Sequence, residues 1–249
     1  MPAAEPFIWM RPERAGRGPR PAHSRDEIAA AAVRIADTDG LDAVSMRRVA
    51  AEIGASTMAL YNYVNGKEDL LDLMIDAVSA EYQLPSGPLG DWRGVLLALA
   101  RQGRTIALRH PWLPRALTQR PAVALMGPNA LRYTEFILTA VNRVLDASTA
   151  MELIGLLTAV VHSYVQSELA QSEAERQAGL SADEFQASMA AYLGRMIASG
   201  WYPRFTQVVI EGASTPPPNA DAIFERAVNR LLDGFSTRPD AGPRSAKPS

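Results

Sequence analysis

The sequence predicts an all-α fold, and three observations carry that expectation. Nearly half of its 249 residues are apolar, dominated by Ala, Leu and Val with few aromatics, a mixture that favours helix over sheet. Apolar residues recur three and four positions apart, between Ser caps and Gly or Pro stops. No stretch alternates apolar and polar residues over the length of a strand, and there is no internal repeat. The length allows one large or two modest domains.

Taken in order, residues 1–23 are rich in Arg, Pro and Gly without periodicity and read as a basic flexible arm. "SRDE" at 24–27 is a capping box in which Ser24 takes an amide and Glu27 reaches back, so a helix starts there. Its inner face is Ile28, Ala31, Ala32, Ile35 and Ala36, and Gly40 stops it. Ser45 caps a second helix to Ile53, with Val49, Ala50 and Ile53 inward, and Gly54 ends it in a position suited to left-handed backbone. Ser56 caps a third of about two turns reaching Tyr63 or Val64. After the Asn65-Gly66 turn, a longer amphipathic helix runs through Leu70, Leu71, Met74 and Val78. "LPSGPLGDW" (84–92) is the clearest linker, separating a unit at 24–83 from one at 91–235.

Further helices are expected at 91–110, 126–146, 149–171, 181–199 and 220–235, with starts at Ser148 and at the "SADE" capping box, 181–184. His110 before Pro111 ends its helix, where a cationic ring suits the dipole. "HPWLPRALTQRP" (110–121) is broken by prolines, "GASTPPPNAD" (212–221) is a rigid loop, and 236–249 reads as a disordered tail.

Composition narrows the function. With no cysteine, disulfides and thiolate chemistry are excluded and a cytoplasmic location is the simple expectation. Histidines at 23, 110 and 162 are too scattered for a metal cluster, and no cofactor motif is present. Catalysis would need a nucleophile–base pair or paired carboxylates, and neither is suggested, so no enzyme is expected. No apolar run approaches the roughly 20 residues that span a bilayer, and the N-terminus lacks a signal-peptide core. The acidic "KEDLLD" (67–72) reads as a solvated helix face.

Net charge is −2, but it is unevenly placed: residues 1–25 carry +3 and residues 45–67 carry +2. Positive charge at one end suits a DNA-binding chain. Two helices joined by "GAS" (54–56), the second very short, have helix-turn-helix spacing. Gly54 permits the tight reversal, Ala50, Ala51, Ala55 and Ala59 keep the pair close, and Leu60 and Val49 fill the space beneath. Ser56, Thr57, Met58, Tyr61 and Asn62 then point outwards, with small polar groups for base edges and phosphates and Met58 for a thymine methyl. Tyr61 and Tyr63 offer hydroxyls at a groove wall, and Lys67 opens the next helix, where ammonium and free amides can share a phosphate. Ser45, Arg47 and Arg48, at the start of the preceding helix, complete the expected DNA-facing set. The Arg-rich arm either enters a minor groove or is a solubilising tail.

The stretch "GLDAVSMRRVAAEIGASTMALYNYVNGKEDLLDLMID" (40–76) resembles the DNA-binding region of the TetR family of bacterial repressors. The likeness rests on the Ser45-Met46-Arg47 start, the short turn, "LYNYV" (60–64), and the "GK" before "LL"; Tyr63 stands where the family commonly has His. The resemblance implies a homodimer that places two recognition helices in successive major grooves of a palindromic operator. It also implies that the C-terminal helices supply both the dimer interface and a pocket for a small inducer. The helices at 149–171 and 220–235 are the expected interface, because "LIGLLTAVVHSYV" (153–165) is apolar almost all round; a central buried helix would look the same.

The C-terminal half more loosely resembles the tetracycline repressor's ligand domain, through "ALTQRP" (116–121). Ala116 and Gln119 stand where that repressor places a His and a Thr on its drug–magnesium complex, so a larger hydrophobic effector is expected instead. Trp112, Met126, Tyr133, Ile137, His162 and Gln166 are the pocket candidates, with ordinary core packing the competing explanation for each. A non-specific architectural DNA-binding protein is the main alternative, disfavoured by the negative net charge and the large apolar C-terminal half.

Overall fold

The computed structural model describes residues 7–11, 23–86, 90–121, 125–179, 181–213 and 219–236. The described residues hold eleven α-helices and no strand, in agreement with the expected all-α class.

Ser24 accepts from the Glu27 amide at 3.1 Å and opens α1, Arg25–Asp39. Only half of the expected capping box forms, because the Glu27 carboxylate lies beside His23 Nδ1 instead. Ser45 caps α2, Met46–Glu52, and Ser56 caps α3, Thr57–Leu60, through the Ala59 amide at 3.1 Å. Gly54 sits at φ +69°, the left-handed conformation expected of it. α3 is one turn of helix, prolonged by turns that bring Tyr63 and Val64 amides to the Leu60 carbonyl. α4 spans Lys67–Ser79 and packs along α1. Ile28, Ile35, Val49, Leu60, Leu70 and Met74 close the core between these four helices.

α5, Trp92–Arg109, starts at Asp91, whose carboxylate takes the Arg93 and Gly94 amides. Where prolines suggested a break, α6 forms over Leu113–Thr118 with Pro114 in its first turn. Proline has no amide to lose there, so it opens helices as readily as it breaks them. The same holds for α7, Pro128–Val141, and for α10, Pro203–Ala213, a helix the pattern did not suggest. α8 runs over Ala147–Ala178, capped by Asp146 rather than Ser148 and longer than expected. α9, Ala182–Ala198, begins with the expected Ser181–Glu184 capping box, and α11 spans Ala220–Ser236.

A second core joins α5, α7, α8 and α11 through Leu99, Ile137, Leu153, Leu157, Phe224 and Leu232. α8 buries one stripe along Leu153, Leu157, Val161 and Val165, while most of its apolar stretch, Met151 and Leu156 included, is not buried. It is also the one described helix long and apolar enough by composition to cross a bilayer, although its apolar face packs on α5 and α11. α9 and α10 contribute to neither core and leave Tyr192, Phe205 and Val208 exposed, as is Trp201 between them.

The expectation of an irregular arm fails at Phe7–Arg11. Ile8–Met10 form a 3-10 turn, and Ile8 is buried in the first core. Arg11 pairs with Asp69 at 2.5 Å, and Arg25 donates to the Arg11 carbonyl at 3.0 Å. Residues 1–6 and 12–22 of the arm, and 237–249 of the tail, lie outside the described residues.

Candidate nucleic-acid interface and ligand pocket

The short helix α3 and the turn after it expose most of the side chains expected to point outwards. Met58 is 76% exposed and Tyr61 47%, with Ser56 and Asn62 exposed and Thr57 half-buried beside them. Leu60 is fully buried below, so the helix is held by one side and offered by the other. Tyr63 departs from the expectation: it is half-buried, its ring packed against the first core rather than turned outwards. Its position next to Val64, which is fully buried, draws the end of the turn inwards.

Around this helix the charges are partly engaged. Ser45 and Arg47 are exposed, while Arg48 is ion-paired with Asp39 and uses its backbone amide to close the Ser45 cap. Lys67 Nζ reaches back to the Leu41 carbonyl at 3.4 Å. Gly66 offers no side-chain cap at the start of α4, which leaves the helix N-terminus next to Lys67 without one. Arg115 grips Asp42 with two bonds of 2.8 and 2.9 Å and holds its carboxyl below the usual carboxylate range.

The acidic stretch opening α4 is not a solvated face. Asp69, Asp72 and Asp76 are all buried, spaced three and four apart on one side. Asp69 meets Arg11 and takes the Asn65 amide at 2.6 Å. Asp72 takes a two-pronged Arg120 at 2.7 and 3.0 Å. Asp76 accepts the Asn129 and Ala130 amides at 2.9 and 3.0 Å and so caps α7 from another helix. Burial pushes the Asp72 and Asp76 carboxyls upward, against these partners. Carboxylates facing water were expected because the partners lie about fifty residues away in sequence, beyond any local pattern.

A second polar link joins α1 to the C-terminal helices. His110, 4% exposed, lies 2.7 Å from Asp37 and 2.9 Å from Glu81, one carboxylate at each ring nitrogen. The Trp112 indole also donates to Asp37 at 2.7 Å. His110 therefore does more than end α5, and Trp112 is a buried structural residue.

An apolar cavity of about 310 Å³ lies between α4, α5, α6, α7 and α8. Of the six expected lining residues it brings together Met126, Tyr133 and His162. Trp112 belongs to the first core, Ile137 is fully buried in the second, and Gln166 is exposed. Tyr82 was missed; it lies just after α4, two residues before the expected linker, and its ring packs 4.3 Å from that of Tyr133. Ile75, Gly155 and Thr158 also line the cavity. A wider hollow of about 670 Å³, between Trp9, α1, α4 and α7, is as polar as it is apolar and includes Arg25, Asp26 and Asp76. Small-molecule sites are predominantly apolar with a few convergent polar groups, which favours the first cavity.

A reading helix held proud of a small helical unit, followed by a helical domain around an apolar cavity, defines a ligand-responsive DNA-binding regulator. Residues 28–74 match the family described as bacterial regulatory proteins, tetR family, and residues 84–238 the tetracyclin repressor-like C-terminal domain. The chain belongs to the TetR family. It is 39% identical over 232 residues to the HTH-type transcriptional repressor DrrR1 of Streptomyces coeruleorubidus, covering 92% of this chain and 83% of that one. It is 26% identical over 213 residues to the class A tetracycline repressor of transposon 1721 from Escherichia coli, covering 85% and 89%. The crystal structure of ActR from Streptomyces coelicolor in complex with actinorhodin superposes with a TM-score of 0.68 at 28% identity, covering 87% and 96%.

Proposed function

We propose that this chain represses transcription from a palindromic operator as a cytoplasmic homodimer, reading DNA with residues 24–83 and sensing an effector with residues 91–235. The observation that carries the reading is the exposed face of α3, where Met58 and Tyr61 stand clear of a fully buried Leu60. Ser56, Thr57, Met58, Tyr61 and Asn62 are assigned to base edges and phosphates, and Ser45, Arg47, Arg48 and Lys67 to the flanking backbone. Tyr63 contributes only the edge of its half-buried ring. One turn of helix reads few base pairs, so two copies one helical turn apart, about 34–36 Å, supply the specificity. The exposed apolar residues of α8, with Ile223 of α11, support a partner copy on that side.

The effector site is assigned to the 310 Å³ cavity, because its walls include α4, the helix that carries the reading unit. ActR holds actinorhodin, which supports a small-molecule effector for this chain as well. A ligand that fits the cavity only when α4 has shifted would favour a dimer spacing that no longer matches the operator.

Selection of bound sites from random duplex DNA tests the reading. The expected result is a palindromic site, bound at physiological salt. Tyr61→Ala and Lys67→Ala weaken binding to all sequences, and Lys67→Ala lowers the salt slope by about one. Thr57 and Met58 substitutions instead change the preferred bases. Absence of any palindromic preference overturns the proposal.

A further inference from the structure

Among the described residues, sixteen line the cavity, and none of them is Asp, Glu, Lys or Arg. Its polar groups are few and neutral. The Ser79 and Thr134 hydroxyls are spent on the carbonyls of Ile75 and Ala130, at 2.8 and 2.9 Å. That leaves the Tyr82–Tyr133 pair and, one turn apart on α8, Thr158 and His162. No hydrogen bond within the described residues engages the His162 ring. Burial holds that imidazole in its neutral form by lowering its pKa to about 4, and keeps Tyr82 protonated by raising its pKa to about 12. The rest of the wall, including Ile75, Ile106, Leu117 and Ile154, is aliphatic.

We propose that the cavity takes an uncharged ring compound with hydroxyl or carbonyl groups along one edge, and rejects the same skeleton bearing carboxylates. The inference rests on the reading of this cavity as the effector site. Thr158 and His162 line one wall with groups that donate to or accept from ligand oxygens, while the aliphatic wall takes the ring face. A carboxylate brought inside would lose its water with no cation to meet it, and that loss is large for an unpaired ion. The volume, at the lower end of the range of about 300–1,000 Å³ for such sites, suits two or three fused rings.

The test uses the full-length protein without DNA and two near-isosteric anthraquinones, one carrying a carboxamide at each end and the other a carboxylate at each end. Opposite ends are chosen so that one substituent must enter the cavity whichever way the ring lies. Calorimetry should find the dicarboxamide bound roughly a hundredfold or more tighter than the dicarboxylate. Gly155 locates the site: a Cβ there meets nothing within 4 Å, so the side chain of Gly155→Leu starts in open space on the cavity wall and takes up cavity volume. That variant should lose dicarboxamide binding at least tenfold while its thermal midpoint is kept. Thr158→Lys places a cation inside and should reverse the preference. Equal or tighter binding of the dicarboxylate, binding of neither compound, or neutral binding indifferent to Gly155→Leu overturns the proposal. Release from the operator is measured separately. Tight neutral binding, lost in Gly155→Leu, that leaves the operator complex intact overturns the effector reading while upholding the ligand class.

Discussion

Replacing Arg120 by Met should destabilise the protein far more than an ordinary arginine loss. Its guanidinium spans both oxygens of Asp72 at 2.7 and 3.0 Å, and the two side chains are 10% and 1% exposed. Removing one partner of a buried pair strands the other charge, at a cost of about 3–5 kcal/mol. The additional contact to Glu68, whose side chain is 81% exposed, contributes little by comparison. For a chain of this length that corresponds to a fall in thermal midpoint of roughly 6–20 °C. The Asp72 carboxyl is already pushed upward by burial. Without Arg120 it rises further, so the defect should shrink as acid protonates it. Combining Arg120→Met with Asp72→Val removes the stranded charge and should return most of the loss, to within about 1–2 kcal/mol of the parent. Urea unfolding followed by circular dichroism, at one protomer concentration, measures all three proteins. An Arg120→Met cost below about 1 kcal/mol, or a double variant no better than the single one, would refute the claim that Asp72 depends on this contact.

Three further outcomes depend on buried groups. In the unfolded chain the His162 ring takes a proton near pH 6.5, and in the folded one near pH 4. Stability should therefore fall by as much as about 3 kcal/mol as pH drops through that window, and His162→Gln should flatten the fall; an unchanged slope in the variant would rule this residue out as its source. Asp72 and Asp76 act in the opposite sense, contributing stability below pH 3.8 that is lost as pH rises through their raised values. Ile8→Ala should cost about 2–5 kcal/mol by urea unfolding, as for any deeply buried isoleucine, whereas a free N-terminal arm would leave the midpoint unmoved.

The parts legible in the sequence were those written locally. Ser24, Ser45, Ser56 and Ser181 cap helices a few residues away, Gly54 needs only its own φ, and the α1 face repeats within fifteen residues. The outward turn of Ser56, Met58, Tyr61 and Asn62 was legible for the same reason, unlike that of Tyr63, whose direction depends on how the turn after α3 meets the core. What stayed hidden depends on distant partners. Asp72 reads as a surface acid until Arg120, 48 residues on, is placed against it. Ile8 looks like part of a tail until the core that receives it is assembled from α1 and α4. Prolines were ambiguous, since the residue that ends one helix at Pro111 opens others at Pro114, Pro128 and Pro203. The cavity was half legible: Met126, Tyr133 and His162 sit in it, while Trp112 and Ile137 have the same chemistry and went to the cores.

The Asp76 carboxylate, which takes the first amides of α7, also fills the space where a side chain at residue 127 would begin. A Cβ on Gly127 would fall inside contact distance of that carboxylate and of the Trp9 ring. The two positions are consequently not free to drift apart over evolutionary time. Descendants of this chain should keep the glycine for as long as they keep the aspartate, and lose both in the same lineages. A homologue with a side chain at 127 would need a different way to seat α7 on α4, and with it a differently shaped floor for whatever molecule it senses.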